Sequence, residues 1–470
     1  MALDVRAPDV QVDEAKLARL SASFAGELIL PTDASYDEAR RVWNGSIDRR
    51  PAVVARCTGV ADVVAAVRWA AEHEVLVAVR GGGHNVGGFG TCDGGIVIDL
   101  SPMKGVRVDP TSRRVFAQGG LVWRELDRET QAFGLAVTGG LVSSTGVGGF
   151  TLGGGIGWLQ RKYGLAIDSL LSVDLVTADG SLVHASADEN SDLFWGLRGG
   201  GGNFGVATAL EFALHPVGPE VVAGLIFHPA DALPELARFY RSFAASMPDD
   251  ITLVLVARTA PPAPFLPSHV HGKRIAVIAG MHAGPVDAAV EALRPLKSFG
   301  TPIADVMQPR HYTQFQSMLD ASWTAGAQNY WKAEYIRDID ESVIDAMVHG
   351  LDTITSPLSD FKFPTLGGAV ARVPANATAY PFRDAPFVVN INARWTDADE
   401  TPRHVAWTRD LWTALQPASA GGAYVNFMGE EGEGRVRAAY GLATHDRLRD
   451  LKRRYDPTNV FRLNQNIDPN

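Results

Sequence analysis

Glycine is spread unevenly along this chain, and that unevenness constrains the fold more than any other feature. Of 48 glycines in 470 residues, 29 lie between Gly81 and Gly205, where even spreading would put fewer than half as many. They sit among strand-like and helix-like apolar segments without a three-residue period, which excludes collagen and low complexity. A quarter of the chain therefore needs backbone brought very close to something else.

Composition narrows the class. The length suggests roughly three domains and a core large enough to need neither disulfides nor metals. Two cysteines exclude a disulfide scaffold and a zinc-ribbon or zinc-finger fold. The balance of 43 basic and 53 acidic residues, net −10, argues against a general binder of nucleic-acid phosphates. Met1 to Lys16 is polar and acidic, with no basic n-region or apolar h-region. No run approaches 18 uncharged apolar residues, so the expectation is a soluble, cytoplasmic protein without membrane contact.

Residues 58–73 carry Val63, Val67 and Ala70/Ala71 at helical spacing. Val75–Val79 reads as a buried strand running into Arg80-Gly81-Gly82-Gly83-His84-Asn85. Ile96–Leu100 and Val115–Ala117 read as strands, and Leu121–Phe133 as a helix stopped by Gly134. Asp179-Gly180, between Ser172–Ala178 and Ser181–Ala185, predicts a hairpin with a type I′ turn. Beyond about residue 216 glycine thins. PPAPFLP at 261–267 reads as a loop, and alternation over Phe387–Trp395 predicts a half-buried antiparallel strand. The tail from Leu448 reads as a charged helix with a polar end.

Gly200-Gly201-Gly202-Asn203-Phe204-Gly205 matches the dinucleotide fingerprint literally. That motif requires a strand before the loop and a helix after it. Here a helix-like segment precedes and a strand-like segment, Val206–Leu214, follows, so the Rossmann reading is rejected. No phosphate-binding P-loop and no nucleophile elbow occurs. The stronger segments are RGGGHNVGG at 80–88 and GVGGFTLGGGIG at 146–157. Successive glycines turn backbone N–H groups toward an anion and let a planar ring lie on bare backbone, which points to a large phosphate-bearing cofactor. His84 stands inside this glycine cradle, with little side-chain packing expected around it. Its imidazole suits a base, a metal ligand or a covalent attachment point; no ligand-spaced partners support a metal.

Several longer stretches extend the pattern: Trp43-Asn44-Gly45, Arg56-Cys57, DGGIVIDL at 93–100, RKYGLAIDS at 161–169, LFWGLRGGGGNFGV at 193–206 and YDPTNVFRLNQNIDP at 455–469. In these residues, and in this order, the chain resembles the berberine-bridge-type oxidases of the vanillyl-alcohol oxidase and p-cresol methylhydroxylase superfamily. The resemblance covers nearly the whole chain and implies an α+β fold. It would have an FAD-binding domain of two α+β subdomains (1–216) and a substrate domain (217–425) whose antiparallel sheet is covered by helices. A C-terminal segment (426–470) would return to the cofactor.

The resemblance also implies site residues. His84 matches the histidine linked to the flavin, and Arg80, Gly81, Gly82, Gly83, Asn85 and Gly88 the first phosphate-contacting loop. Thr145, Gly146, Gly148, Gly149, Gly153 and Gly154 match the second loop, Val206 a position near the adenosine, and Asn464 the polar edge of the ring, with Asn466 a further cofactor-binding residue. Many relatives carry a second link through a cysteine that here is Val142, so the expectation is a single covalent bond through His84. Double attachment goes with more open sites, so a bulky oligosaccharide is disfavoured. Tyr424, in Tyr-x-Asn, matches a catalytic tyrosine of some relatives; packing on a sheet explains it equally well. Tyr335, Arg394 and Tyr380 are further cavity candidates, Tyr335 also as a catalytic group. The implied function is oxidation of a small-molecule alcohol or amine, such as a secondary metabolite, sugar or N-heterocycle, with O2 reoxidising the flavin to give peroxide. A dehydrogenase using another acceptor, or a non-catalytic flavin carrier, are the alternatives.

Overall fold

The computed structural model describes residues 14–470, so most of the acidic start lies outside the described residues. The first sheet has four short strands ordered 27–29, 53–56, 96–99 and 77–80. The last three are mutually parallel, and the helix Val60–Glu72 makes the crossover between two of them. Val63, Ala66, Val67 and Ala70 bury one helical stripe against Val53, Ala55, Ile96 and Ile98. Asp62 holds the helix start by accepting hydrogen bonds from the Thr58 N–H and hydroxyl. The strand Val77–Arg80 ends directly at the first glycine loop.

The second sheet is antiparallel and has five strands, ordered 106–109, 114–118, 206–213, 170–176 and 182–186. The helix Trp123–Gln131 packs on it, and Gly134 ends the following turn with φ +66°. The hairpin at Asp179-Gly180 forms, but not as a type I′ turn. Only Gly180 takes a left-handed φ (+74°); its N–H donates to the Thr177 carbonyl, and Asp179 uses its carboxylate on the Ser181 N–H. A side chain that bonds the local backbone removes the need for a second left-handed residue.

The third sheet is the largest. Its main path runs 304–305, 220–229, 274–282, 251–259, 360–364, 387–395 and 328–336, all antiparallel. Alternate residues Leu253, Leu255, Ile278, Phe361, Val389 and Ile391 pack against the helices Leu233–Ser246, Glu341–Asp352 and Thr401–Leu415. The opposite face turns toward the glycine-rich half. The strand Phe387–Trp395 is consequently buried on both faces rather than half-buried. Its polar alternates, Asn390, Asn392 and Arg394, are buried on the face turned toward the glycine-rich half.

The C-terminal helix begins earlier than the charge pattern suggests, spanning Leu442–Tyr455. The tail after it returns to the glycine turn at 200–205: Asn203 donates to the Gln465 carbonyl and accepts from the Ile467 N–H. Lys452, fully buried, fixes this return by donating to the carbonyls of Asn203 and Phe461 and to the Asp456 carboxylate at 2.7 Å. Removing one partner of a buried ion pair leaves the other uncompensated and costs about 3–5 kcal/mol. Lys452→Met is therefore expected to destabilise the protein by about that amount in denaturant unfolding, more than Lys→Met changes at exposed sites. No helix among the described residues is long and apolar enough to cross a membrane.

Candidate active site

The two glycine loops meet backbone to backbone. A Cβ on Gly82 would lie 2.4 Å from the Gly146 nitrogen, so neither position tolerates a side chain without movement. His84 sits beside this junction and is better packed than its glycine neighbours suggest. Its ring stacks on Trp43 with centroids 5.1 Å apart, and Nε2 lies 2.8 Å from the Ser144 hydroxyl. Burial, with a smaller contribution from the Arg124 charge, pulls the imidazole pKa down to about 4. A ring held down to that value stays neutral at pH 7, with Ser144 engaging Nε2.

A cavity of about 900 Å³ opens between the glycine loops and the inward face of the large sheet. Arg80 through Asn85, Val142, Thr145, Gly146, Gly148, Gly149, Tyr424 and Asn464 all line it. Gly88, Gly153, Gly154, Val206, Asn466, Tyr335, Tyr380 and Arg394 do not. Gly88 (φ +75°) makes room for Ile47, Gly153 for the Asn426 amide and Gly154 for the Tyr380 and Tyr424 rings, so these glycines shape the wall from behind. Val206 is wholly buried between the lining residues Gly205 and Ala207. Asn466 keeps a buried Oδ1 without a partner. Arg394 braces the 322–324 loop by donating to the carbonyls of Ser322 and Thr324.

Tyr335 lies one layer behind Tyr424, stacked on Phe382 at 4.8 Å and set edge-on to Tyr380. Burial raises its phenol well above 10, and it does not line the cavity. Tyr424 is different. Its hydroxyl oxygen accepts from the Gly155 N–H (2.9 Å), the Ile156 N–H (3.3 Å) and the Asn426 amide (2.8 Å). These donors favour the phenolate, burial opposes it more strongly, and the net pKa is pushed up to about 12.

The sheet supplies the side of the cavity that sequence motifs did not mark. Alternate residues on one face run from apolar (Val254, Val256, Val277) to polar (Arg258, Lys362, Asn390). Trp43, Trp323 and Trp331 add a cluster of indoles, with centroid separations of 5.7–6.1 Å. Lys362 rests 4.1 Å over the Trp323 ring and 3.0 Å from Asp360. The available signal was charged and amide residues at alternate positions of otherwise strongly apolar strands, in DFKFP and FVVNINARW.

Comparison with known proteins agrees with this arrangement. Residues 51–186 match a family model described as an FAD binding domain, and residues 423–468 one described as berberine and berberine like. The chain is 32% identical to (R)-6-hydroxynicotine oxidase from Paenarthrobacter nicotinovorans, over 95% of this chain and 97% of that one. The chain belongs to the berberine-bridge-type FAD-linked oxidoreductases. The crystal structure of 6-hydroxy-D-nicotine oxidase from Arthrobacter nicotinovorans superposes with a TM-score of 0.85 at 31% identity, covering 95% of this chain and 99% of that one. A chitooligosaccharide oxidase has the same fold at 24% identity, with a TM-score of 0.85 and coverage of 97% and 100%. The span 51–186 that matches the FAD-binding model holds most strands of the first two sheets.

The cavity fits such a cofactor on its own geometry. A Cβ built on Gly149 or Gly202 would meet nothing within 4 Å, although both residues line the cavity, so their missing side chains leave bare backbone facing it. At the tail, the buried Asn464 Oδ1 lacks a protein partner and suits an N–H donor of a heterocycle.

Proposed function

We propose that this protein is an oxidase that removes a hydride from a small-molecule alcohol or amine and passes the electrons to O2, giving peroxide. The carrying observation is one cavity that brings together a glycine-lined channel, the neutral His84 imidazole, the fixed Tyr424 hydroxyl and a polar sheet face. In this reading Gly81–Gly83 and Gly146–Gly149 hold the pyrophosphate through backbone N–H groups, and Asn464 Oδ1 holds the polar edge of the ring. His84 is the single covalent attachment point, since Val142 offers no second nucleophile. FAD bound there supplies the two-electron acceptor.

The chain's own residues do the rest. The backbone N–H groups of Gly155 and Ile156, with the Asn426 amide, fix the Tyr424 oxygen and stabilise its anionic form. That oxygen is the proposed acceptor of the substrate O–H proton. The half-buried Trp331 indole at the cavity wall offers planar apolar surface for the substrate. The oxidising nicotine relative supports a ring-bearing substrate over a polymeric one.

Screening alcohols and amines anaerobically is expected to find one that bleaches the yellow protein within seconds. Admitting air should restore the colour with about one equivalent of peroxide per turnover. Bleaching followed by reoxidation only with an added dye would replace the oxidase with a dehydrogenase. No bleaching by any compound in the set would leave a carrier.

Gly149→Ala tests the cofactor channel separately. The position lies in the helix Val147–Leu152 at an ordinary helical φ, where alanine is favoured over glycine by about 0.5–1 kcal/mol. The variant is expected to melt at or above the temperature of flavin-free wild type. Its bound flavin, read by absorbance, should fall about tenfold because the new methyl occupies the channel.

A further inference from the structure

The polar end of the sheet face is built to a specific polarity. Lysine has donors and no acceptor when charged. Lys362 Nζ donates to Asp360 and to the Asn392 side-chain oxygen, so the Asn392 NH2 must point the other way. That NH2 donates to the Asn390 oxygen at 2.7 Å. The second amide is thereby fixed as well, with its oxygen consumed and its NH2 left over. Asn390 is 0% exposed, lines the cavity, and its Nδ2 has no partner. A charge at one end of the relay thus decides which atom Asn390 presents.

The neighbours have the same sign. Trp331 Nε1 and Arg310 Nε are buried donors without partners on cavity-lining residues. Arg258 Nε donates to the Thr259 carbonyl, and the guanidinium has no ion pair among the described residues. Asp360, the carboxylate on this wall, is taken up by Lys362. Buried groups of this kind are normally satisfied, and here the unsatisfied ones on the cavity-lining residues Asn390, Trp331 and Arg310 are all donors, whereas the unsatisfied Asn329 Oδ1 does not line the cavity. The ligand must bring the acceptors. The half-buried Trp331 indole beside them, backed by Trp43 and Trp323, favours a flat apolar body.

We propose that the Lys362–Asn392–Asn390 relay, with Arg258, forms a substrate subsite selecting planar aromatic molecules that carry an anionic oxygen, a carboxylate or a phenolate. This rests on reading the cavity as the flavin and substrate site. Amines protonated at neutral pH are disfavoured, because Arg258 and Arg310 both lack a carboxylate partner.

The test uses the flavin-loaded protein, with perturbation of the visible flavin band as the binding readout. Benzoate, 4-cyanophenol above and below its own ionisation, benzyl alcohol and benzylamine are titrated in turn. Benzoate or the phenolate is expected to bind at least about tenfold more tightly than benzyl alcohol, and benzylamine the most weakly. Preference between the first two assigns the carboxylate or the phenolate. Lys362→Met frees both amides to turn and should weaken the preferred anion about tenfold, whereas Lys362→Arg retains it. Asn390→Ala, which removes the donor without touching a charge, should weaken it similarly; flavin content reports that each variant is folded. Equal affinity for the anions and benzyl alcohol, or unchanged anion affinity in both Lys362→Met and Asn390→Ala, would overturn the proposal. Protein that binds no flavin at all would instead overturn the parent reading.

Discussion

After acid precipitation, yellow colour is expected to stay with the wild-type pellet and to leave entirely with the supernatant in His84→Ala. The expectation is all-or-none because a single nucleophile serves the channel. His84 is neutral above about pH 4, so its nitrogen can form a bond without first losing a proton. Cys57 lies in the core of the first sheet, and burial pushes the Cys92 thiol up to about 12; neither lines the cavity. Val142, which does line it, is inert. The glycine loops are untouched by the substitution, so His84→Ala is expected to bind FAD non-covalently and to lose it on gel filtration in denaturant. Flavin released by acid from the wild type would refute the covalent link.

Tyr424→Phe is expected to lower the rate of anaerobic bleaching by about 10²–10⁴-fold, the usual contribution of a positioned general base. The sign of the pH dependence separates a base from a packing residue. With a pKa near 12, the phenolate fraction rises about tenfold per pH unit across the neutral range, so the wild-type rate on an alcohol should rise with it. Tyr424→Phe should lose that slope. A loss of less than about tenfold with the slope unchanged would assign the tyrosine to packing, holding Gly155 and Ile156 in place.

The glycine loops were legible in the sequence because their chemistry is local. Gly82, Gly146 and Gly149 have no side chain, and that absence is written at each position. The return of the tail to the glycine turn at 200–205 is a tertiary contact, made through Asn203. The layer of Tyr335 was not legible, because a strand residue reveals its face but not its layer: Tyr335 and Tyr424 belong to one buried cluster, and of the two Tyr424 lines the cavity. The expected half-buried strand at 387–395 failed for a related reason. Alternation identifies two faces, and a polar face was equated with water.

The sequence by itself determined where bare glycine backbone lines the cavity, which histidine stands there, and that neither cysteine does. These depend on residue type and short spacing. Tertiary structure alone decided what the polar alternates of the large sheet do. Asn390, Asn392 and Lys362 are up to 30 residues apart, and their hydrogen-bond polarity exists only because strands 360–364 and 387–395 pair in a single register. A one-residue slip would turn the same side chains into the helix-covered core.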